Sequence, residues 1–235
     1  MKFTQLASSS TGNLYTLENR SGQRILIECG ISWPDIREAL DYELSNIEGC
    51  LISHFHADHS KAVRDVIKAG IDVYASLETH DELDTIENRR AKILRPNVWS
   101  QIEDFAILPF ATTHDCLGSL GFIVDDSKHT MLFMTDSCKL DYSFKTKFQI
   151  VALECSYNKQ WLLRKVDEGS IHETVAKRLL TSHMSETECL RTLHDFICLD
   201  KCTELHLIHC SADNINKERL KKEFVKEFMI EVIIL

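Results

Sequence analysis

The chain has 235 residues, 44% of them hydrophobic and 27% charged, a balance that suits one folded domain over residues 1–235. Twenty-seven basic side chains stand against 36 acidic ones, and the resulting net charge of −9 argues against a long basic stripe for gripping extended nucleic acid. No apolar run approaches the roughly 20 residues of a membrane-spanning helix, and the opening MKFTQLASSS has no apolar signal-peptide core. A cytoplasmic protein with no membrane partner is expected, its nine unpatterned cysteines held as reduced thiols.

In chain order, KFTQLA, NLYTLE and RILIEC predict three strands, the first two joined by the SSSTGN stretch at residues 8–13. A plain turn and a substrate-binding loop are both open for that stretch. A helical pattern covers 33–42, and GCLISH predicts the next strand. At its end lies HFHADHS, with His54, His56, Asp58 and His59 inside six residues. Imidazoles and a carboxylate so closely spaced can hold zinc tetrahedrally and leave one position for water. With 11 histidines in the whole chain, three in such a window point away from chance.

Helix 60–69 and strands DVYAS, FAILPF, LGFIVDD, TMLFMTD and FQIVALEC follow, then helices over 171–180 and 186–197, strand ELHLIHC, helix 216–228 and strand EVIIL. Strands in pairs ahead of helices predict packed sheets with helices outside rather than a doubly wound parallel sheet. Three more ligand-type residues come just after apolar strands: His114 in ATTHDC, Asp136 in MLFMTDS and His209 in LHLIHCS. Cys116 and Cys210 sit close to two of these histidines; Cys210, next to His209 on a strand end, should point to the opposite face and be structural. His80, His129, His172, His194 and His206 form no pattern and are expected on the surface or in packing.

Taken together, these residues resemble the metallo-β-lactamase superfamily, whose signature HxHxDH, then histidine, aspartate and histidine, is matched in full. The resemblance implies an α/β fold, the αββα sandwich of two packed mixed β-sheets flanked by helices. It implies His54, His56 and His114 on one metal, Asp58, His59 and His209 on a second, and Asp136 bridging both. Two divalent ions are implied, with zinc favoured and manganese the alternative. Such a pair generates a bridging hydroxide nucleophile and stabilises attacking and leaving oxygens. Two dications against two aspartates and a hydroxide leave a positive patch that would draw an anionic substrate.

Aspartate at 136, where many secreted antibiotic-cleaving members carry cysteine, fits the phosphodiesterase, nuclease and thioester-hydrolase branches. LASSSTGNLY and HCSADNINKERL resemble the SxSxGN opening and final-histidine motif of the YycJ-like (WalJ) metallohydrolases; the plan is also similar to phage anti-Pycsar cyclic-nucleotide phosphodiesterases. Glu154 in ALECS and His183 in TSHMS resemble the glutamate and proton-donating histidine of transfer-RNA 3′-processing enzymes, which implies a general acid at His183. Ser182 and Met184 depart from the YycJ-like GHLS around that histidine. In SYNKQWLLRKVDEG, aromatic and basic residues suit either base stacking or an amphipathic helix with Trp161, Leu162 and Leu163 in the core.

The expected protein is thus a dinuclear phosphodiesterase of the bacterial or phage-infected cytoplasm, its catalytic residues Asp58, His183 and Glu154. A small anionic nucleotide, favoured as a cyclic mononucleotide, is the expected substrate. A YycJ-like exonuclease on DNA or RNA ends is the alternative, and a thioester hydrolase or a non-catalytic metal-loaded nucleotide-binding protein stands further off. A homodimer stays open.

Overall fold

The computed structural model describes residues 1–211 and 213–235; Ala212, within the HCSADN stretch, lies outside them. The chain folds as two compact units, the first Met1–Ala111 with Cys116–His129, the second Thr112–Asp115 with Thr130–Leu235.

The first unit holds β1 (Lys2–Ser9), β2 (Gly12–Glu18), β3 (Arg24–Ile27), α1 (Trp33–Ala39), β4 (Ile47–Leu51), α2 (Ala57–Ser60), α3 (Val63–Lys68), β5 (Val73–Ala75), α4 (Leu77–Glu82), β6 (Ala91–Ile93), β7 (Ser100–Ile102), β8 (Phe105–Ala111) and β9 (Leu120–Asp125). The second holds β10 (Thr130–Met134), β11 (Ile150–Glu154), α5 (Lys159–Asp167), α6 (Glu173–Ser182), α7 (Glu186–Asp195), β12 (Glu204–Ile208), α8 (Lys217–Phe228) and β13 (Glu231–Ile233). The strands belong to two mixed sheets, as the αββα expectation required. All eleven strands anticipated from the sequence are present. Strands β6 and β7 were not anticipated, because AKI and SQI are too short to show a period.

In the first unit β1 to β6 lie side by side in chain order, antiparallel from β1 to β3 and parallel from β3 to β6. Its core is built on Leu14, Leu26, Ile52, Val66 and Val73. Helix α1 starts where Ser32 accepts from the Asp35 amide and Pro34 occupies the first turn, where no intrahelical partner is lost. The helix anticipated over 60–69 is found as α3, starting at Val63, with the short α2 ahead of it ending at Ser60.

In the second unit β10 to β13 are parallel, with Met134 opposite Leu153 and Glu154 opposite Ile208. TMLFM and IVALE read as continuous apolar runs because nearly every residue in them is buried. Helix α7 begins with Ser185 accepting from the Glu188 amide at 3.2 Å, the cap its sequence announces. Among the described residues no helix is long and apolar enough to cross a membrane.

Candidate metal centre

Four ligand-type residues of the first unit stand at the carboxyl end of β4 and in α2. His54 Nε2 lies 3.0 Å from His56 Nδ1, while the Ser53 hydroxyl holds His54 Nδ1 at 2.9 Å and so fixes which nitrogen faces its neighbour. His59 Nε2 is 3.3 Å from Asp58 Oδ2, and its Nδ1 is 3.5 Å from Glu28 Oε1. Glu28, a residue that sequence reasoning passed over, is fully buried and its Oε2 accepts from the Ser53 amide at 3.3 Å. Burial pushes the Glu28 carboxyl up from its ordinary value, against the lowering by His59 and Ser53. One carboxylate thereby holds both the loop before His54 and the ring of His59.

The SSSTGN stretch is a support for this loop. Asn13 Nδ2 donates to the main-chain oxygens of Ser9 and Asp58, at 3.0 and 3.1 Å, and lies 3.3 Å from His59 Nε2. Tyr15 in turn donates to Asn13 Oδ1 at 3.0 Å, and its hydroxyl is 2.9 Å from that of Ser8. Gly30 lets the two backbones meet: a Cβ there would stand 1.7 Å from the Asp58 oxygen.

In the second unit Asp136 follows β10, Glu154 ends β11 and His209 follows β12, so three adjacent parallel strands present them at their carboxyl ends. Open α/β sheets place ligand sites at such strand ends. Asp136, Glu154, His183 and His209 bring one ligand atom each within 4.8 Å of one another. His209 Nε2 is 3.5 Å from Asp136 Oδ1, and His114 Nε2 is 3.6 Å from Asp136 Oδ2. His114 Nδ1 donates to the Ser182 carbonyl at 2.9 Å, an oxygen that can only accept, which in the neutral ring leaves the lone pair on Nε2. Two hydrogen bonds place the His114 loop: the Thr113 amide donates to the Ser137 hydroxyl and the Cys138 amide to the Thr113 main-chain oxygen.

His183 sits between α6 and α7 with its Nδ1 2.7 Å from Glu154 Oε1. The Ser156 amide bonded to the Met184 oxygen and the Glu186 amide bonded to the Tyr157 oxygen hold that connection beyond β11. Glu154, wholly buried, also accepts from the Ser137 amide at 2.9 Å and lies 3.6 Å from His209 Nδ1. The rings of His183 and His209 stack 5.3 Å apart. Glu154 and His183, paired in the sequence reading only by resemblance, are thus in direct hydrogen-bond contact.

Backbone strain marks the same positions. Glu28, Asp136 and His209 are non-glycine residues in the left-handed region, at φ 66°, 41° and 53°, each one or two residues past a strand. Such a turn re-aims the side chain out of the strand's alternation at a cost of order 1–3 kcal/mol, which the surrounding structure must hold in place.

The donor chemistry fits divalent metal in both units. Two nitrogen or oxygen donors at about 2.0–2.2 Å from a tetrahedral zinc are about 3.3–3.6 Å apart, close to the 3.0 Å between the His54 and His56 nitrogens in the first unit and the 3.5 Å between His209 Nε2 and Asp136 Oδ1 in the second. Carboxylates as buried as Asp136 and Glu154 call for a compensating cation or several donors.

Of the remaining expectations, the core placement of Leu163 fails, while Cys210, His80 and His206 take the packing roles expected of them. In α5 Leu162 is fully buried but Leu163 is 45% exposed, so the core takes one of the two leucines. Tyr157 is 3% exposed and packs with Leu162 and Ala176, which removes it from base stacking. Cys210 is buried with its Sγ near the Leu207 and Ile208 oxygens, a packing role. His80 and His206 are buried, His80 against the Thr85 hydroxyl and His206 against Glu204.

The two strand-end clusters and the two mixed sheets define a class, the metallo-β-lactamase-fold hydrolases with His and Asp clusters able to bind metal ions. Residues 23–198 match the beta-lactamase superfamily domain, and the chain belongs to that superfamily. The metallo-beta-lactamase fold protein YhfI from Bacillus subtilis aligns at TM-score 0.75, with 17% identity over 99% of this chain and 95% of its own. Zn(2+)-bound PqqB from Methylobacterium extorquens aligns at TM-score 0.72, with 12% identity over 99% and 97% of the two chains. The anti-Pycsar protein Apyc1 of Bacillus phage 010DV004 is 41% identical over 54 residues, 23% of this chain and 21% of that protein, so the match spans about a fifth of the relative's length.

Proposed function

We propose that the protein is a metal-dependent phosphodiesterase that hydrolyses a small nucleotide, a cyclic mononucleotide being the favoured substrate. In this reading His54, His56 and His114 hold one divalent ion, Asp58, His59 and His209 hold another, and Asp136 serves both. Support comes from the full ordered set of ligand residues, from donor spacings inside each unit, and from the partial likeness to an anti-Pycsar protein. Bound zinc or manganese would supply Lewis-acid stabilisation of phosphoryl charge and lower the pKa of an attacking water.

One observation carries the choice of bond: the Glu154 carboxylate against His183 Nδ1 at 2.7 Å. An alkoxide leaving group is strongly basic and needs a proton as the P–O bond breaks, whereas a thiolate, with a thiol pKa of about 8.5, leaves without one. A second-nitrogen proton on His183, with Nδ1 anchored to Glu154, is placed to meet that need. His183 then acts as the general acid and Glu154 as its positioning residue. Thioester hydrolysis would leave this pair idle.

The test is turnover by zinc- or manganese-loaded protein on a panel of cyclic mononucleotides, cyclic dinucleotides, and single- and double-stranded DNA and RNA. Rapid opening of a cyclic mononucleotide is expected, lost in Asp58→Ala and His59→Ala while the fold persists. Cutting of DNA or RNA ends with no action on cyclic nucleotides would transfer the protein to the exonuclease reading that its YycJ-like motifs favour. Full activity in a folded Asp58→Ala variant would sink the two-metal assignment.

A further inference from the structure

Cys116 belongs to the first unit together with His54 and His56. Its Sγ and one nitrogen from each of the two histidines all lie within 4.8 Å of one another. Around a zinc ion of more than four ligands, a sulfur at about 2.3 Å and a nitrogen at about 2.0–2.1 Å are about 3.1–3.6 Å apart, inside that bound. Two features hold the segment after Cys116 in register with the His54 loop. The Leu120 amide donates to the Ser53 oxygen at 2.9 Å, immediately before His54. Gly118, at φ 73°, lies so close to α4 that a Cβ would stand 2.5 Å from the Ser76 hydroxyl oxygen and 2.7 Å from Glu78 Cβ. Just ahead of these anchors Leu117 is 80% exposed while Cys116 is half-buried.

We infer that Cys116 is a thiolate ligand of the ion held by His54 and His56, which makes that position selective for a thiophilic metal. This rests on the metal-site reading above and extends it with a ligand outside the HxHxDH, histidine, aspartate, histidine pattern. As the sulfur–metal bond forms, the thiol proton passes to solvent and no electrons change hands. Thiolate favours zinc, cobalt and cadmium, whereas manganese prefers oxygen donors. The site therefore chooses zinc over manganese through Cys116.

The test uses the full-length protein loaded with cobalt(II). A near-ultraviolet thiolate-to-cobalt charge-transfer band is expected in the wild type. It should vanish in Cys116→Ser and persist in Cys138→Ser, while two ions per chain are retained in both. Zinc–manganese competition should move toward manganese by about tenfold or more in Cys116→Ser, the scale on which groups around a metal tune its affinity. Zinc should also slow maleimide labelling of Cys116 relative to the metal-stripped chain, identified by peptide mapping. Two bound cobalt ions with no such band, and no change on Cys116→Ser, would overturn the inference and leave the metal site standing. Failure of the wild type to bind cobalt or zinc at all would overturn both.

Discussion

At the scale of single residues, the ligand types were legible because they stand just past apolar strands, where HFHADH, ATTHD, MTD and IHC interrupt an otherwise hydrophobic pattern. Their supports were not. Glu28 in RILIEC reads as one acidic residue at a strand end, and only the fold brings it to Ser53 and His59. Asn13 reads as turn chemistry, yet its amide reaches the Asp58 oxygen 45 residues away. Gly30 is equally silent in the sequence. Gly30→Ala would drive a methyl to 1.7 Å from a main-chain oxygen that cannot rotate away. The expected loss is about 3 kcal/mol or more, the upper end of overpacking costs, read as a fall in the urea midpoint; an unchanged midpoint would mean the α2 loop yields freely. The dyad is tested separately. His183→Ala should lower kcat by about 10²–10⁴ with KM and metal content unchanged, and Glu154→Gln should lower it less, because an amide still meets the imidazole without its charge. Loss of metal in His183→Ala would turn the residue from proton donor into ligand.

At the scale of elements, strands and caps were the readable part. Ser185, Asn216 and Ser32 each accept from the amide three residues on, so polar residues ahead of amphipathic runs fixed where α7, α8 and α1 begin. Which leucine of α5 faces inward was not readable, since WLL gives three apolar residues in a row and the helix can bury one side. Leu162→Ala should cost about 2–5 kcal/mol and Leu163→Glu almost nothing, measured by chemical unfolding; the reverse order would contradict the packing around Tyr157 and Ala176. Three helices are also joined through one carboxylate. Glu186 in the first turn of α7 accepts from Asn158, the cap of α5, at 2.7 Å and from Arg219 of α8 at 2.9 Å. Burial alone would raise its pKa, but the hydrogen bonds from Arg219 and Asn158 outweigh burial and hold it below the ordinary 4.5. A depressed carboxyl pKa means the folded state binds fewer protons than the unfolded one, so this contribution is present above pH 4.5 and is lost as pH falls through the lower folded value. Glu186→Gln should cost about 1.5–3 kcal/mol at pH 7, and that difference should shrink steadily below pH 4.5. A difference that stays constant down to acid unfolding would show that Glu186 acts by shape alone.

At the scale of the whole molecule, the sequence supplies the seven ligand-type residues in order, and the fold distributes them over two compact units, His54, His56, Asp58 and His59 in the first and His114, Asp136 and His209 in the second. That division could not be read from composition, because no proline- or glycine-rich linker marks it. It gives metal removal a consequence for stability as well as for turnover. An ion that binds the native chain and not the unfolded one stabilises by about 2.7 kcal/mol at a hundredfold excess over its Kd. Two such ions contribute about 5 kcal/mol, or about 10–20 °C in Tm for a chain of 235 residues. Dialysis against a chelator should lower Tm by that amount, and returning zinc should restore it in two saturable steps. Asp58→Ala, proposed to lose one ion, should keep roughly half of the zinc-dependent shift, while Asp136→Ala, proposed to serve both, should lose nearly all of it. A wild-type shift that saturates at one zinc per chain and survives intact in Asp58→Ala would reduce the site to a single metal, and the nucleophile and the leaving group would then have to share one ion.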